Sequence, residues 1–137
     1  MRSIAMRNVP LRFLIGALLG GCLALTLLPG CGHGNAPVRV EVAQETLASV
    51  LDSWKSGLSP DDVRAATPSV VVQDLDWSGG ARLVDFEILP NPLAQDANLI
   101  AKVRLTLEES DGKPREKQVA YMVGTDPVLT VFRHMLP

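Results

Sequence analysis

Residues 99–123, LIAKVRLTLEESDGKPREKQVAYMV, contain the pattern that decides the fold. The apolar residues Leu99, Ala101, Val103, Leu105 and Leu107 alternate with the polar residues Lys102, Arg104 and Thr106, and a second strand-like run follows from Lys117 to Val123. Alternation places the apolar side chains on one face of a β-strand and the polar ones on the other. The stretch therefore predicts two antiparallel strands of a sheet that has one face on a core.

The turn between these two strands decides their register. A two-residue loop at Asp111-Gly112 would set Leu105 opposite Gln118, which wastes the apolar face. A three-residue loop over Ser110–Gly112, with the glycine left-handed, gives apolar pairs instead: Val103 with Val119, Ala101 with Tyr121, and Leu99 with Val123. The sequence predicts this bulged hairpin.

A second turn, over Gly124–Pro127, predicts a further strand over Val128–Arg133. The predicted register pairs Val123 with Val128, Tyr121 with Thr130, and Val119 with Phe132. It places five apolar side chains on the sheet face turned away from the helices: Ile100, Ala120, Met122, Leu129 and Val131. An apolar patch with a polar rim is typical of an interaction surface. The alternative is that the loop 90–98 or residues 134–137 fold over this patch.

The region before the hairpin predicts two helices and two strands. Apolar side chains recur at helical spacing over Val42–Ser56, and Gly57 suits the cap at the end of that helix. Ser59-Pro60 marks the start of a short helix that ends near Ala66. The two strands are Val70–Val72 and Arg82–Leu89. The predicted fold class is α+β, in which one long N-terminal helix and a short helix pack on a four- to five-stranded antiparallel sheet, in one domain over residues 39–137.

The first 30 residues have the pattern of a signal peptide. Three arginines precede an apolar run over Phe13–Leu28, as in the n-region and h-region of exported proteins. The run is shorter than the roughly 20 residues that span a bilayer comfortably. A retained membrane helix is the alternative.

The segment Leu28-Pro29-Gly30-Cys31 resembles the lipobox of bacterial lipoproteins, although Pro29 stands where that family usually has a small residue. The resemblance implies acylation of Cys31, a flexible tether over residues 31–38, and export to the cell envelope. Gly32 is not the inner-membrane retention signal of that family, so the outer membrane is favoured in a source with two membranes. Two alternatives remain open: a similar motif that ends at Cys22, and ordinary cleavage after Ala36.

Removal of the signal peptide leaves an acidic domain. All fifteen acidic residues follow Cys31, together with ten of the thirteen basic ones, which gives a formal charge of −5. A domain without a basic stripe lacks the usual electrostatic footprint of a nucleic-acid binder, so we expect no nucleic-acid partner. Cys22 and Cys31 both precede the domain, which therefore contains no thiol for a disulfide or a metal site.

The order of elements resembles the cystatin-like and ketosteroid-isomerase-like (nuclear-transport-factor-like) folds, over about residues 40–133. The segments that carry this resemblance are Trp54–Gly57, Tyr121–Thr125 and Thr130–Arg133, and short bacterial lipoproteins show a similar pattern. Ketosteroid-isomerase-like enzymes use an Asp base and a Tyr donor. The resemblance implies Tyr121 as the candidate phenol, although alternation places this side chain on the core face.

Few residues suit catalysis or metal binding. His33 lies in the tether and His134 near the end of the chain, so neither is expected in a cleft. Asp74 and Asp76 share one side of a segment that we expect to be extended, but a third ligand for a cation is missing. We therefore predict no catalytic, cofactor-binding or metal-binding residue.

The predicted function is that of a membrane-anchored, exported lipoprotein with a non-catalytic domain. The domain is expected to self-associate or to bind an envelope protein, and the lipid on Cys31 to hold it at the membrane. The alternative is a small lyase, isomerase or hydrolase with its site in a cavity between helix and sheet. Trp54 and Trp77 are expected to anchor the core rather than stack on a ligand.

We expect Cys31→Ser to abolish acyl labelling and Cys22→Ser to leave it intact, because only Cys31 precedes a polar tether. Mass spectrometry of the mature N-terminus identifies the modified residue. A lipid on Cys22, or an unmodified N-terminus at Pro37, would contradict the assignment.

Overall fold

A computed structural model describes residues 36–135 of the chain. The elements in chain order are α1 (Val40–Lys55), α2 (Pro60–Ala65), β1 (Val70–Gln73), α3 (Leu75–Ser78), β2 (Arg82–Ile88), β3 (Leu93–Gln95), β4 (Asn98–Glu108), β5 (Pro114–Gly124) and β6 (Leu129–His134). The predicted α+β class is confirmed.

Helix α1 packs one apolar stripe on the sheet. It begins two residues before the predicted start and ends one residue before the predicted end. Its buried residues recur three or four positions apart: Ala43, Thr46, Leu47, Val50, Leu51 and Trp54. Gly57, at φ 92°, adopts the left-handed conformation expected just after a helix end.

Helix α2 begins as predicted. The backbone N–H of Asp62 donates to Ser59 Oγ (3.1 Å), and the N–H of Ser59 donates to Asp62 Oδ2 (2.8 Å). This reciprocal capping box satisfies two amides that a helix start leaves free, and Pro60 occupies the first turn.

Helix α3 corrects the prediction of an extended segment around Asp74 and Asp76. Asp74 is the N-cap of this short helix, and its Oδ1 accepts hydrogen bonds from the N–H groups of Asp76 (2.9 Å) and Trp77 (3.2 Å). An Asp that caps a turn in this way competes with an extended backbone.

The sheet has six strands in the order β1-β6-β5-β4-β2, and β3 also pairs with β4. Strand β1 runs parallel to β6, whereas all the other pairs are antiparallel. The prediction of a four- to five-stranded, purely antiparallel sheet is thus wrong in two respects. The loop predicted over residues 90–98 contains β3. Strand β1 pairs with the last strand, β6, and not with β2, which follows it in sequence.

The first hairpin has the predicted register. Val103 pairs with Val119, Ala101 with Tyr121, and Leu99 with Val123. Gly112, at φ 74°, is left-handed in the turn and donates its N–H to the Glu109 carbonyl (3.0 Å). Turn chemistry and side-chain alternation therefore favour one register together.

The second hairpin does not have the predicted register. Val123 pairs with Val131 instead of Val128, and Tyr121 pairs with Arg133 instead of Thr130. The observed register differs from the predicted one by three residues. Because three is an odd number, every side chain of β6 lies on the face opposite to the predicted one. Val131 is fully buried in the core as a result.

Trp54 and Trp77 lie in the core, where their rings stack in parallel with centroids 5.1 Å apart. The Trp54 Nε1–H donates to the Ala81 carbonyl and the Trp77 Nε1–H donates to the Leu58 carbonyl, each at a donor–acceptor distance of 2.9 Å. Because both rings are buried and both N–H groups are satisfied, the pair joins α1 to α3 and the loop before α2.

Candidate functional site

The face of the sheet opposite the helices carries an apolar row. The buried apolar side chains of α1, α2 and α3 all belong to the core on the other face. On the face turned away, which we call the outer face, four directly paired residues cross four strands: Leu93, Ile100, Met122 and Phe132. Paired side chains on one face lie about 5 Å apart at Cβ, so these four form a continuous strip, the outer apolar row.

The outer apolar row is accessible to solvent. Leu93 is 62% exposed, and Ile100, Met122 and Phe132 are partly buried against one another. The next paired set along the strands is Lys102, Ala120 and His134, and the set after that is Glu87, Arg104 and Gln118. The outer face therefore changes from apolar to charged along the direction of the strands.

Three of the five residues predicted to form the interaction patch lie on the outer face, and two do not. Ile100, Ala120 and Met122 lie on the outer face, although Ala120 is fully buried among its neighbours. Leu129 and Val131 lie on the core face, contrary to the prediction, because the register of β6 differs by an odd number of residues. Phe132 and Leu93, which complete the row, were not predicted.

As far as the structure describes them, the segments proposed to cover this patch lie beside it, where Gln95, Asp96 and His134 line a cleft with Ile100 and Met122. Leu93–Gln95 extends the sheet beside β4, and His134 pairs with Ala120 within the sheet. In the structure β6 also pairs in parallel with β1, which places Val70 beside Leu129 and Val72 beside Val131. The residues near the β5–β6 turn carry no signal of this long-range pairing, so the register of β6 was missed.

A buried ionic network lies on the core face of β5 and β6. Asp74 Oδ2 accepts a hydrogen bond from the Tyr121 hydroxyl (2.6 Å) and others from Nε (3.2 Å) and an Nη (2.7 Å) of Arg133. The Asp74 side chain is 1% exposed, and the Arg133 guanidinium carbon lies 5.3 Å from the centre of the Tyr121 ring. The carboxylate is fully engaged, since its other oxygen caps α3.

Asp76 extends this network towards solvent. Its Oδ2 accepts hydrogen bonds from Arg133 (3.0 Å) and Lys117 (2.9 Å). Partial burial opposes ionisation, but the Lys117 hydrogen bond and the two positive charges outweigh it and lower the pKa of Asp76. The resulting stabilisation is present above the ordinary value of 3.8 and is lost as the pH falls through the lower value in the folded protein.

Asp74 and Asp76 thus bind the cationic side chains of Arg133 and Lys117. Among residues 36–135, no group of three or more potential metal ligands is present.

Tyr121 takes a structural position rather than that of a proton donor to a substrate. Burial, and then the charge and hydrogen bond of Asp74, raise the pKa of Tyr121 far above its ordinary value. Neither Tyr121 nor Asp74 lines any of five surface clefts formed within residues 42–135. Contrary to the expectation from the sequence, His134 lines two of these clefts: one of about 200 Å³ with Ile100 and Met122 on the outer face, and one of about 330 Å³ with Arg133.

A second apolar surface lies between the helices and the sheet edge. A cleft of about 330 Å³ is lined by aliphatic side chains of α1, α2, β1 and β6, with Thr46, Ser49 and Ser53 adding hydroxyl groups. Leu129 lines this cleft, which is where the corrected register places it.

The start of the domain is fastened to two turns at one end of the sheet. The Val38 N–H donates to the Asp96 carbonyl (3.1 Å) in the β3–β4 turn. The Arg39 N–H donates to Thr125 Oγ1 (3.2 Å), and its guanidinium contacts both the Thr125 carbonyl and Asp126 in the β5–β6 turn. We call this end of the sheet the tether end.

Several predictions concern residues outside the described range. The signal peptide over residues 1–30, both cysteines, His33 and most of the tether lie outside it. Within residues 36–135, no helix is both long enough and apolar enough to cross a bilayer.

No protein-family model, curated protein or solved structure matches the chain.

We expect Asp74→Ala to lower the free energy of unfolding by about 3 to 5 kcal/mol, because it leaves the Arg133 charge partly buried without its main partner. Asp76→Ala is the matched control, with an expected cost of about 1 kcal/mol or less, since this carboxylate and Lys117 are more exposed. Urea unfolding of a fragment of residues 38–137 measures both values. Equal costs for the two variants would contradict the assigned role of Asp74.

Proposed function

We propose that the chain is an exported lipoprotein, anchored to a membrane through Cys31, whose α+β domain binds a component of the cell envelope without catalysis. The observation that carries this proposal is the outer apolar row, since it places four adjacent apolar side chains on a sheet face that the described helices leave uncovered. Contiguous apolar surface of this kind is typical of an interaction site.

The anchor rests on the sequence pattern before residue 31. An arginine-bearing start, an apolar run and the lipobox-like Leu28–Cys31 together favour export and acylation. The cell envelope is accordingly the proposed location, with the outer membrane favoured where two membranes exist. The cystatin-like or ketosteroid-isomerase-like relationship stays part of this proposal.

The polar groups of the core support a binding role over a catalytic one. Asp74 and Tyr121 hydrogen-bond to each other inside the core and line none of the five clefts, although Arg133, which also binds Asp74, lines a cleft of about 330 Å³ with Asp76 and Lys117. Catalytic groups need instead to converge on a space that a reacting atom can occupy. The acidic net charge supports a partner other than nucleic acid.

The test is photo-crosslinking in the cell envelope from two positions on the outer face. A photoreactive residue in place of Met122, within the apolar row, is expected to give a discrete adduct with an envelope component. The matched control replaces Thr106, which lies on the same face of β4 but near the charged end, opposite Glu116; it is expected to give little or none.

A photoreactive residue in place of Leu93 is compared in two backgrounds, the otherwise unchanged chain and the double variant Met122→Asp with Phe132→Lys. We expect it to fold, because both side chains lie outside the core cluster, and to lose the adduct. Equal crosslinking from Met122 and Thr106, or none from either, would contradict the proposed binding surface.

A further inference from the structure

The apolar row lies near the end of the sheet where the tether joins the domain. Leu93 is three residues from Asp96, whose carbonyl accepts the N–H of Val38. At about 3.3 Å per residue along a strand, Leu93 lies about 10 Å from that contact. Ile100 is two residues into β4 on the other side of the same turn.

The length of the tether limits how far this end can lie from the membrane. Val38 follows Cys31 by seven residues, and a fully extended chain of that length spans at most about 25 Å. A lipid on Cys31 would therefore keep the tether end, and the apolar row beside it, within a short distance of the bilayer surface.

A positively charged side chain, Lys102, borders the apolar row on the side away from the tether end. Lys102 is exposed beside the row and forms no salt bridge with any residue in the described part of the chain. The next paired set along the strands contains one acidic residue, Glu87. Its charge is neutralised by a salt bridge to Arg104. A lysine can extend its ammonium group to lipid phosphates while its methylene groups contact apolar surface.

We infer that the outer apolar row contacts the lipid bilayer, so that the domain rests on the membrane by the tether end of its outer face. This inference depends on the proposed lipid anchor and names the partner of the proposed surface. Leu93 leads the contact as the most exposed member, and Lys102 faces the headgroups. A contact between the folded domain and the bilayer adds to the attachment that a lipid anchor provides and orients the domain.

The test measures the depth of a tryptophan introduced at either end of the outer face. Full-length acylated protein is reconstituted into phosphatidylcholine–phosphatidylglycerol vesicles that contain brominated phosphatidylcholine, which quenches tryptophan at the acyl boundary. Leu93→Trp places the probe in the apolar row, and Thr106→Trp is the matched control at the charged end of β4. Trp54 and Trp77 are common to both proteins, so their emission is subtracted with the parent protein.

The expected result is a loss of most of the added emission from Leu93→Trp and little loss from Thr106→Trp. Adding Met122→Asp to Leu93→Trp should restore much of the lost emission, which separates surface contact from mere proximity to the anchor. Vesicle flotation and thermal unfolding establish that each variant is anchored and folded.

Three outcomes overturn the inference. Equal quenching of the two probes, or none, in protein that floats with the vesicles would remove the oriented contact and leave the anchor intact. A Leu93 probe shielded from bromine in protein that sediments as a dimer would show that a second copy covers the row. Protein that fails to float would contradict the anchor itself, and the inference with it.

Discussion

A single buried carboxylate, that of Asp74, joins the parts of this domain that the chain order leaves apart. One of its oxygens caps α3, and the other accepts hydrogen bonds from Tyr121 on β5 and Arg133 on β6. A buried charge is costly unless it is paired and hydrogen-bonded. The position of β6 is therefore coupled to the turn that follows β1. Strand β1 itself also pairs with β6, in parallel.

This coupling favours one register of the last hairpin. Tyr121 and Arg133 are directly opposite each other across β5 and β6, so one carboxylate oxygen can accept from both. The tighter register predicted from the sequence would set Thr130 opposite Tyr121 and carry Arg133 to the other face. The observed register instead buries Val131 and turns Phe132 outward to complete the outer apolar row, so the core network and the proposed binding surface share one cause.

The first hairpin could be predicted because two independent local signals agree there. The glycine at 112 favours a bulged turn, and the apolar faces of β4 and β5 match in only one register. In β6 both faces carry apolar side chains, with Leu129 and Val131 on one and Phe132 on the other, so alternation cannot choose between them. The deciding contact, between Asp74 and Arg133, joins residues 59 positions apart. The candidate site was accordingly predicted in part: Ile100 and Met122 depend on the first hairpin, whereas Phe132 depends on the second and Leu93 on a short strand within a predicted loop.

The Tyr121–Arg133 pairing sets the outer face of the sheet, and backbone NOEs across β5 and β6 detect this pairing. In an isotopically labelled fragment of residues 38–137, we expect cross-strand NOEs that join Met122 to Phe132 and Tyr121 to Arg133. NOEs that join Tyr121 to Thr130 and Val123 to Val128 would contradict this pairing, because that register removes Phe132 from the outer apolar row and Arg133 from Asp74.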